Sequence, residues 1–427
     1  MTQLEYAKNN IITPLMRRIA FDEEINPKFI LKGIKEATVV IPHNKIHSLK
    51  KPCGIGYGLF TKVNVNIGTS TDKSEVKDEL EKLKVALKYG ADTIMDLSVG
   101  GNLDKIRREI LKSSPVPVGT VPIYQIAVNA QKKKNNFLKF GRNDLLDILE
   151  LQAKDGVDFF TIHAGITKES LKTLKESKRL LGIVSRGGAI LASWINYHKK
   201  ENPFYEYFDD ILDIAYKYDI TLSLGDALRP GSIIDATDKA QIKELKILAK
   251  LAKRAKERNV QVMIEGPGHI PLDQIEINIR LEKKICKGAP FYVLGPLVTD
   301  IAAGYDHISA AIGGALAASY GADFLCYVTA SEHLRHPSIE DVKEAVVAAK
   351  IAAHAADLVK RAKLAIKWDK EISSARKKRD WKKQIKFSID PAKAKKYRQS
   401  SQPNLSDVCT MCGKYCSIKL MDECLRA

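Results

Sequence analysis

Nine short runs rich in β-branched and aromatic residues recur along this chain, with longer segments of helical period between them. That alternation is the signature of a parallel sheet wrapped in helices. The runs are TKVNVNI (61–67), DTIMDL (92–97), GTVPIY (119–124), DFFTIH (158–163), LGIVSR (181–186), ITLSLG (220–225), QVMIEG (261–266), FYVLG (291–295) and DFLCYV (323–328). They read as continuous apolar stretches rather than alternations, so both faces are buried. An α/β fold of (β/α)8 TIM-barrel type is predicted, with nine candidate strands competing for eight places. Intervening segments such as DKSEVKDELEKLKVALKYG and TDKAQIKELKILAKLAKRAKERN end on the Gly or Asn expected near helix C-termini. The 427 residues suit a barrel of about 250 residues with appendages. The predicted organisation is an N-terminal arm (1–55), the barrel (56–359), a basic helical segment (360–398), and a linker with a cysteine tail (399–427).

Polar residues gather at or just past the predicted strand ends: Asn66, Met95 with Asp96, Tyr124, His163, Ser185, Arg186, Asp226, Glu265 and Tyr292. Any one of them is ordinarily a turn residue or a cap, but their recurrence marks the end where barrel enzymes build their sites. SRGG (185–188) and DALRPGS (226–232) each follow a predicted strand and offer backbone N–H groups beside Arg186 and Arg229, as phosphate-gripping elements do. EGPGHIP (265–271) sets Glu265 and His269 around a glycine turn, and His333 lies past another strand in TASEHLRHP. Two imidazoles at one mouth could hold a divalent metal with open positions, polarising a substrate oxygen. A single His is more often a structural hydrogen-bonder, so this reading requires both rings to face one cavity. The glycines and alanines of DIAAGYDHISAAIGGALAA (300–318) are best explained by close helix packing.

Seven cysteines are too few for a disulfide scaffold, and three crowd into CTMCGKYC near the end. Cys409, Cys412 and Cys416 form C-x2-C-x3-C, with Cys424 beyond. Zinc usually takes four ligands in paired knuckles, and no second knuckle exists; a four-thiolate zinc site using Cys424 is the alternative. Three close thiolates suit a [4Fe-4S] cluster whose fourth iron can chelate S-adenosylmethionine (SAM) and pass an electron to its sulfonium. The polar stretch QSSQPNLSDV (399–408) reads as a linker of about 33 Å at most, long enough to carry the tail to a barrel mouth of its own or a partner's chain. Residues 360–398 hold 16 Lys and Arg against 4 Asp and Glu, hence twelve of the net charge of +18. Apolar residues at helical spacing, among them Trp368, Trp381, Ile385 and Tyr397, make this stretch amphipathic helices docked on a neighbour. No apolar run approaches the roughly 20 residues of a membrane span, and MTQLEYAKNN lacks a signal-peptide pattern, so a cytoplasmic protein is expected.

KVNVNIGTS, TIMDLSVGG, SRGG, EGPGHIP, DIAAGYDHISAAIGGA and CTMCGKYC together resemble the 4-amino-5-hydroxymethyl-2-methylpyrimidine phosphate synthases, the pyrimidine synthases of thiamine biosynthesis. The likeness runs from TQLEYAKNNIITPLM through DWKKQIKFSIDP to the cysteines. It implies a radical SAM lyase that rearranges 5-aminoimidazole ribotide into the pyrimidine phosphate, releasing formate, carbon monoxide, methionine and 5′-deoxyadenosine. By matching motif, the implied substrate contacts are Asn66, Met95, Tyr124, His163, Ser185, Arg186, Gly187, Asp226, Ala227, Leu228, Arg229, Glu265 and Tyr292. Glu265 and His163 are the candidate catalytic residues. His269 and His333 would hold a divalent metal, Zn2+ or Fe2+, and Cys409, Cys412 and Cys416 the [4Fe-4S] cluster. The resemblance also implies a reducing donor such as flavodoxin or ferredoxin, and a homodimer in which one chain's tail covers the other's barrel.

Two departures from the family pattern stand out. Three residues, Gly413 to Tyr415, separate the second and third cysteines where many members have four. DALR replaces the usual DGLR, placing a methyl at Ala227. Two other readings remain open at this stage: a 5-hydroxybenzimidazole synthase acting on the same ribotide, and a basic RNA-binding protein with a C-terminal zinc module, whose binding would weaken steeply with salt. With only 7% aromatic residues, stacking platforms for RNA are not evident.

Overall fold

The computed structural model describes residues 1–401 and 406–425, so part of the predicted linker, 402–405, lies outside the described residues. The chain divides into two compact units, Met1–Ala356 and Asp357–Ala427.

The first unit is built on a closed parallel barrel. A short antiparallel pair, β1 (Val39–Val40) and β2 (Ile55–Gly56), precedes the barrel strands β3 (Lys62–Ile67), β4 (Thr93–Asp96), β5 (Val118–Thr120), β6 (Phe159–Ile162), β7 (Thr221–Leu224), β8 (Val262–Gly266), β9 (Phe291–Leu294) and β10 (Phe324–Cys326). β3 to β10 run in chain order and β10 closes on β3. Their side chains are almost all buried, as the apolar runs require.

Eight of the nine predicted strands are therefore present. The ninth, LGIVSR, is irregular chain leading into the helix Arg186–His198. Its apolar residues look strand-like, but Leu180 and Leu181 give their N–H groups to Asp235, and Ser185 caps the helix by accepting from the N–H of Gly188. With both ends taken by side chains, the segment has no edge to pair with in a barrel already closed. GTVPIY is likewise split: the strand stops at Thr120, and Pro122 opens the helix Pro122–Lys134, placing Tyr124 in its first turn.

The N-terminal arm folds as three helices, Gln3–Lys8, Pro14–Asp22 and Pro27–Glu36, around their own core of Leu4, Met16, Ile19, Ile30 and Ile34. It closes the N-terminal end of the barrel, because its polar contacts fall on residues just before strands. Gln3 N–H donates to Asp219, Asn44 N–H and His47 Nδ1 reach Asp158, and the backbone of Ile41 pairs with the Gln261 amide. The opposite end is left for a site. Helix Asp306–Tyr320 packs through its glycines as expected: a Cβ on Gly313 would fall 2.0 Å from the Pro296 carbonyl oxygen.

The second unit begins in the last turn of helix Ile339–Lys360 and holds the basic helices Ala362–Lys377, Trp381–Phe387 and Pro391–Ser400. Trp368 Nε1 donates to the Phe387 carbonyl, Trp381 Nε1 to the Asp407 carbonyl, and the Arg398 guanidinium lies 4.0 Å over the Trp381 ring. Two of the interleaved aromatics thus tie the helices together, whereas Tyr397 is exposed. Among the described residues no helix is long and apolar enough to cross a membrane.

Candidate active site

The C-terminal ends of the strands surround a cavity open on one side. Nine of the predicted contacts line it: Asn66, Met95, Tyr124, His163, Ser185, Asp226, Arg229, Glu265 and Tyr292. They come from all around the barrel, so the convergence is a product of closure.

Glu265, the fourth residue of β8, sits at the centre. Its Oε1 accepts from the hydroxyls of Thr161 (2.8 Å) and Ser223 (2.7 Å), which are register partners on β6 and β7 one layer below. Burial raises the Glu265 carboxyl above its ordinary range, against the pull of those hydroxyls and of Arg229. His163 is buried, and its Nδ1 has no hydrogen-bond partner; burial, with Arg229 nearby, lowers its pKa to about 3. The imidazole is therefore neutral at physiological pH. Asp226 Oδ1 accepts from the Arg229 guanidinium at 3.2 Å, and its Oδ2 is unpartnered. Burial pushes its pKa up to about 8, opposed by Arg229 and reinforced by Glu265. An unpaired buried polar atom costs about 1–3 kcal/mol, so such groups at a mouth are poised for a ligand.

From Tyr292, the register partner of Glu265 on β9, a hydrogen-bonded strip runs across β10 to β3. Asn64 donates to the Tyr292 hydroxyl and to Asn66 Oδ1, both at 2.7 Å, and Asn66 donates to Cys326 Sγ at 3.1 Å. Burial, with Cys326 and Glu265 close by, holds the Tyr292 hydroxyl well above its usual range, so it stays a donor.

The other four predicted contacts contribute no surface to the cavity. Gly187 lies against the His163 ring, and Arg186 is exposed with its guanidinium 5.0 Å over the Tyr124 ring. Ala227 is buried beneath Gly188, so its methyl packs under the helix start rather than at the mouth. Leu228 is buried with its N–H on Glu244 and its carbonyl on Arg179. Ser185, Gly187 and Gly188 nonetheless open helix Arg186–His198 towards the cavity, an N-terminus suited to an anion.

His269 and His333 meet with ring centroids 5.3 Å apart, and neither is among the residues lining the cavity. Each ring is oriented by a carboxylate on Nδ1: Asp300 Oδ1 at 2.8 Å for His269, Asp306 Oδ1 at 3.2 Å for His333. Carboxylate-held imidazoles of this kind offer Nε2 to a metal. Among the described residues no group of three or more His, Cys, Asp or Glu forms a metal cage. A metal on these two histidines would thus keep open positions.

In the second unit Cys409, Cys412 and Cys416 are free thiols, none buried. The three-residue spacer is taken up by a 3-10 turn, Gly413–Tyr415, closed by Gly413 N–H on the Cys409 carbonyl and Cys416 N–H on the Gly413 carbonyl. Gly413 has φ +54°, which its lack of a side chain permits. Three accessible thiols on one short turn are the donor set a [4Fe-4S] cluster needs.

Thr161, Ser223, Asn64, Cys326, Asp300 and Asp306 were not legible as site residues. The first four are short polar residues within strands, for which only the inward register carries a signal; the two aspartates act on rings 31 and 27 residues away.

A model of the radical SAM ThiC family matches residues 2–423. Curated relatives named phosphomethylpyrimidine synthase include proteins of Thermoanaerobacter sp. (strain X514), 57% identical over 100% of this chain and 98% of theirs, and of Thermodesulfovibrio yellowstonii, 56% identical over 98% and 99%. A third, from Caldanaerobacter subterraneus subsp. tengcongensis, is 57% identical over 100% and 98%. With barrel, mouth and cysteine turn all inside the matched span, the chain belongs to the radical SAM ThiC family, a membership that implies a [4Fe-4S] cluster and SAM.

Proposed function

We propose that this chain converts 5-aminoimidazole ribotide to 4-amino-5-hydroxymethyl-2-methylpyrimidine phosphate, a lyase step of thiamine biosynthesis. What carries the reading is the cavity itself. Neutral and cationic donors converge on one mouth beside a helix N-terminus, in a chain alike along its length to synthases so named.

The ribotide phosphate pairs with Ser185, the Gly187 N–H and Arg229, with Arg186 at the rim. The imidazole ring lies deeper, among Asn66, Met95, Tyr124 and Tyr292. His163, neutral, uses its unpartnered Nδ1 to hydrogen-bond the substrate. Glu265, with its protonated form favoured by burial and Oε1 fixed by Thr161 and Ser223, holds and moves a proton at the reacting ring. Cys409, Cys412 and Cys416 would hold the [4Fe-4S] cluster, which, with a reducing donor of flavodoxin or ferredoxin type, would supply the one-electron chemistry for SAM cleavage. His269 and His333 would hold a divalent metal, Zn2+ or Fe2+, which would supply Lewis-acid chemistry.

Product identity tests this reading. Mass spectrometry of an anaerobic turnover with 5-aminoimidazole ribotide should show the pyrimidine phosphate. 5-Hydroxybenzimidazole as sole product would assign the chain to the other ribotide chemistry.

A further inference from the structure

Asp300 joins two parts of the mouth that the proposed reaction uses separately. Its Oδ1 receives His269 Nδ1 at 2.8 Å, while its Oδ2 receives the Ser232 hydroxyl at 2.9 Å and the Ile233 N–H at 3.0 Å. Ser232 and Ile233 end the loop that follows β7 and carries Asp226 and Arg229. The rest of that loop is clamped from behind. Leu228 N–H donates to Glu244 at 2.7 Å. The Leu228 and Arg229 carbonyls both accept from the buried Arg179, which is itself paired with Asp238. Only the Ser232 end is therefore tied to a group whose geometry another ligand sets.

We infer that Asp300 couples metal loading at His269 to ribotide binding at Asp226 and Arg229, each ligand strengthening the other. The inference rests on the proposed metal and substrate sites and adds a linkage between them. A metal on His269 Nε2 fixes the proton on Nδ1 and strengthens its bond to Asp300. That holds Oδ2 in place for Ser232 and Ile233, so the loop is ordered before the phosphate arrives. By linkage, ribotide must raise metal affinity by the same factor.

Only a carboxylate can do this. Both oxygens accept, and all three partners, the metallated imidazole N–H, the Ser232 hydroxyl and the Ile233 N–H, donate. An amide at position 300 has one oxygen and can satisfy one side, meeting the other with a donor against a donor. Asp300→Asn therefore separates the sites while conserving shape. Ser232→Ala removes one of the two bonds on the loop side, together with the Ser232 Oγ cap on the Ile234 N–H, and leaves the imidazole bond untouched, so it should weaken the coupling.

The experiment uses, as its unaltered background, the full-length chain carrying Cys409→Ser, Cys412→Ser and Cys416→Ser, so that no turnover enters the readout and these tail thiols take up no Zn2+. Zn2+ affinity is measured by competition with a chromophoric chelator, and 5-aminoimidazole ribotide affinity by calorimetry, each with and without the other ligand. The unaltered chain should show mutual tightening of about fivefold or more, the lower end of typical allosteric coupling. Asp300→Asn should bring the factor below about twofold, and Ser232→Ala should fall between. Independent binding in the unaltered chain, or an undiminished factor in Asp300→Asn, overturns the linkage; the latter means the two ligands touch directly. Failure of the unaltered chain to bind Zn2+ or ribotide at all contradicts the assigned sites, and the linkage with them.

Discussion

The His163 imidazole occupies the space that a side chain at position 187 would need. A Cβ on Gly187 would fall 2.4 Å from its Cε1 and 2.5 Å from its Nδ1. Glycine at this position is thus part of how the ring is aimed. Gly187→Ala should keep the barrel folded and displace the imidazole by up to about an ångström, enough to cost roughly 10²-fold in kcat. Unchanged turnover by this variant would show that the ring's position does not matter.

Asp226 gives the mouth a pH dependence of definite sign. Its pKa is raised by burial to about 8, from an ordinary 3.8. Between those values the folded chain holds a proton that the unfolded chain has lost, so this group's contribution to stability falls as pH rises through that window. Above about pH 8 the carboxylate forms, competes for Arg229 and repels an anion. Calorimetric affinity for the ribotide should therefore drop between about pH 7 and 9, and Asp226→Asn should flatten the profile. A profile just as steep in the variant would place the titration elsewhere.

Cys412→Ser removes a thiol from an exposed turn in the second unit. SAM cleavage should be abolished and iron content reduced, while the melting of the barrel stays within about 0.5 kcal/mol of the unaltered protein, as for surface substitutions. Retained deoxyadenosine formation contradicts the cluster assignment.

His333→Ala should lower metal occupancy in the barrel by about tenfold or more and leave the visible absorption of the iron-sulfur cluster intact. Elemental analysis beside the optical spectrum separates the two. Equal zinc content in variant and unaltered chain would show that Asp306 and His333 form only a structural pair.

The barrel was legible because strands buried on both faces are largely apolar, and FFTI and FYVL say so locally, whereas KVNVNI alternates and carries Asn64 and Asn66 of the site. LGIVSR has the same composition, and only Asp235, some 50 residues on, settles that it is not a strand. The site divides in the same way. Residues at strand ends announce themselves, so Asn66, His163, Asp226 and Glu265 could be named from sequence. Thr161 and Ser223 fix Glu265 through register, and Asp300 fixes His269 through a fold-dependent contact, neither of which local sequence encodes.

The central claim is that cluster-driven SAM cleavage is harnessed to the ribotide held in this barrel. The most direct test reconstitutes the full chain with iron and sulfide under anaerobic conditions, reduces it, and measures 5′-deoxyadenosine with and without 5-aminoimidazole ribotide. The account predicts a coloured protein that forms deoxyadenosine together with the pyrimidine phosphate when ribotide is present. A colourless protein, or deoxyadenosine formed with the ribotide left intact, would contradict it.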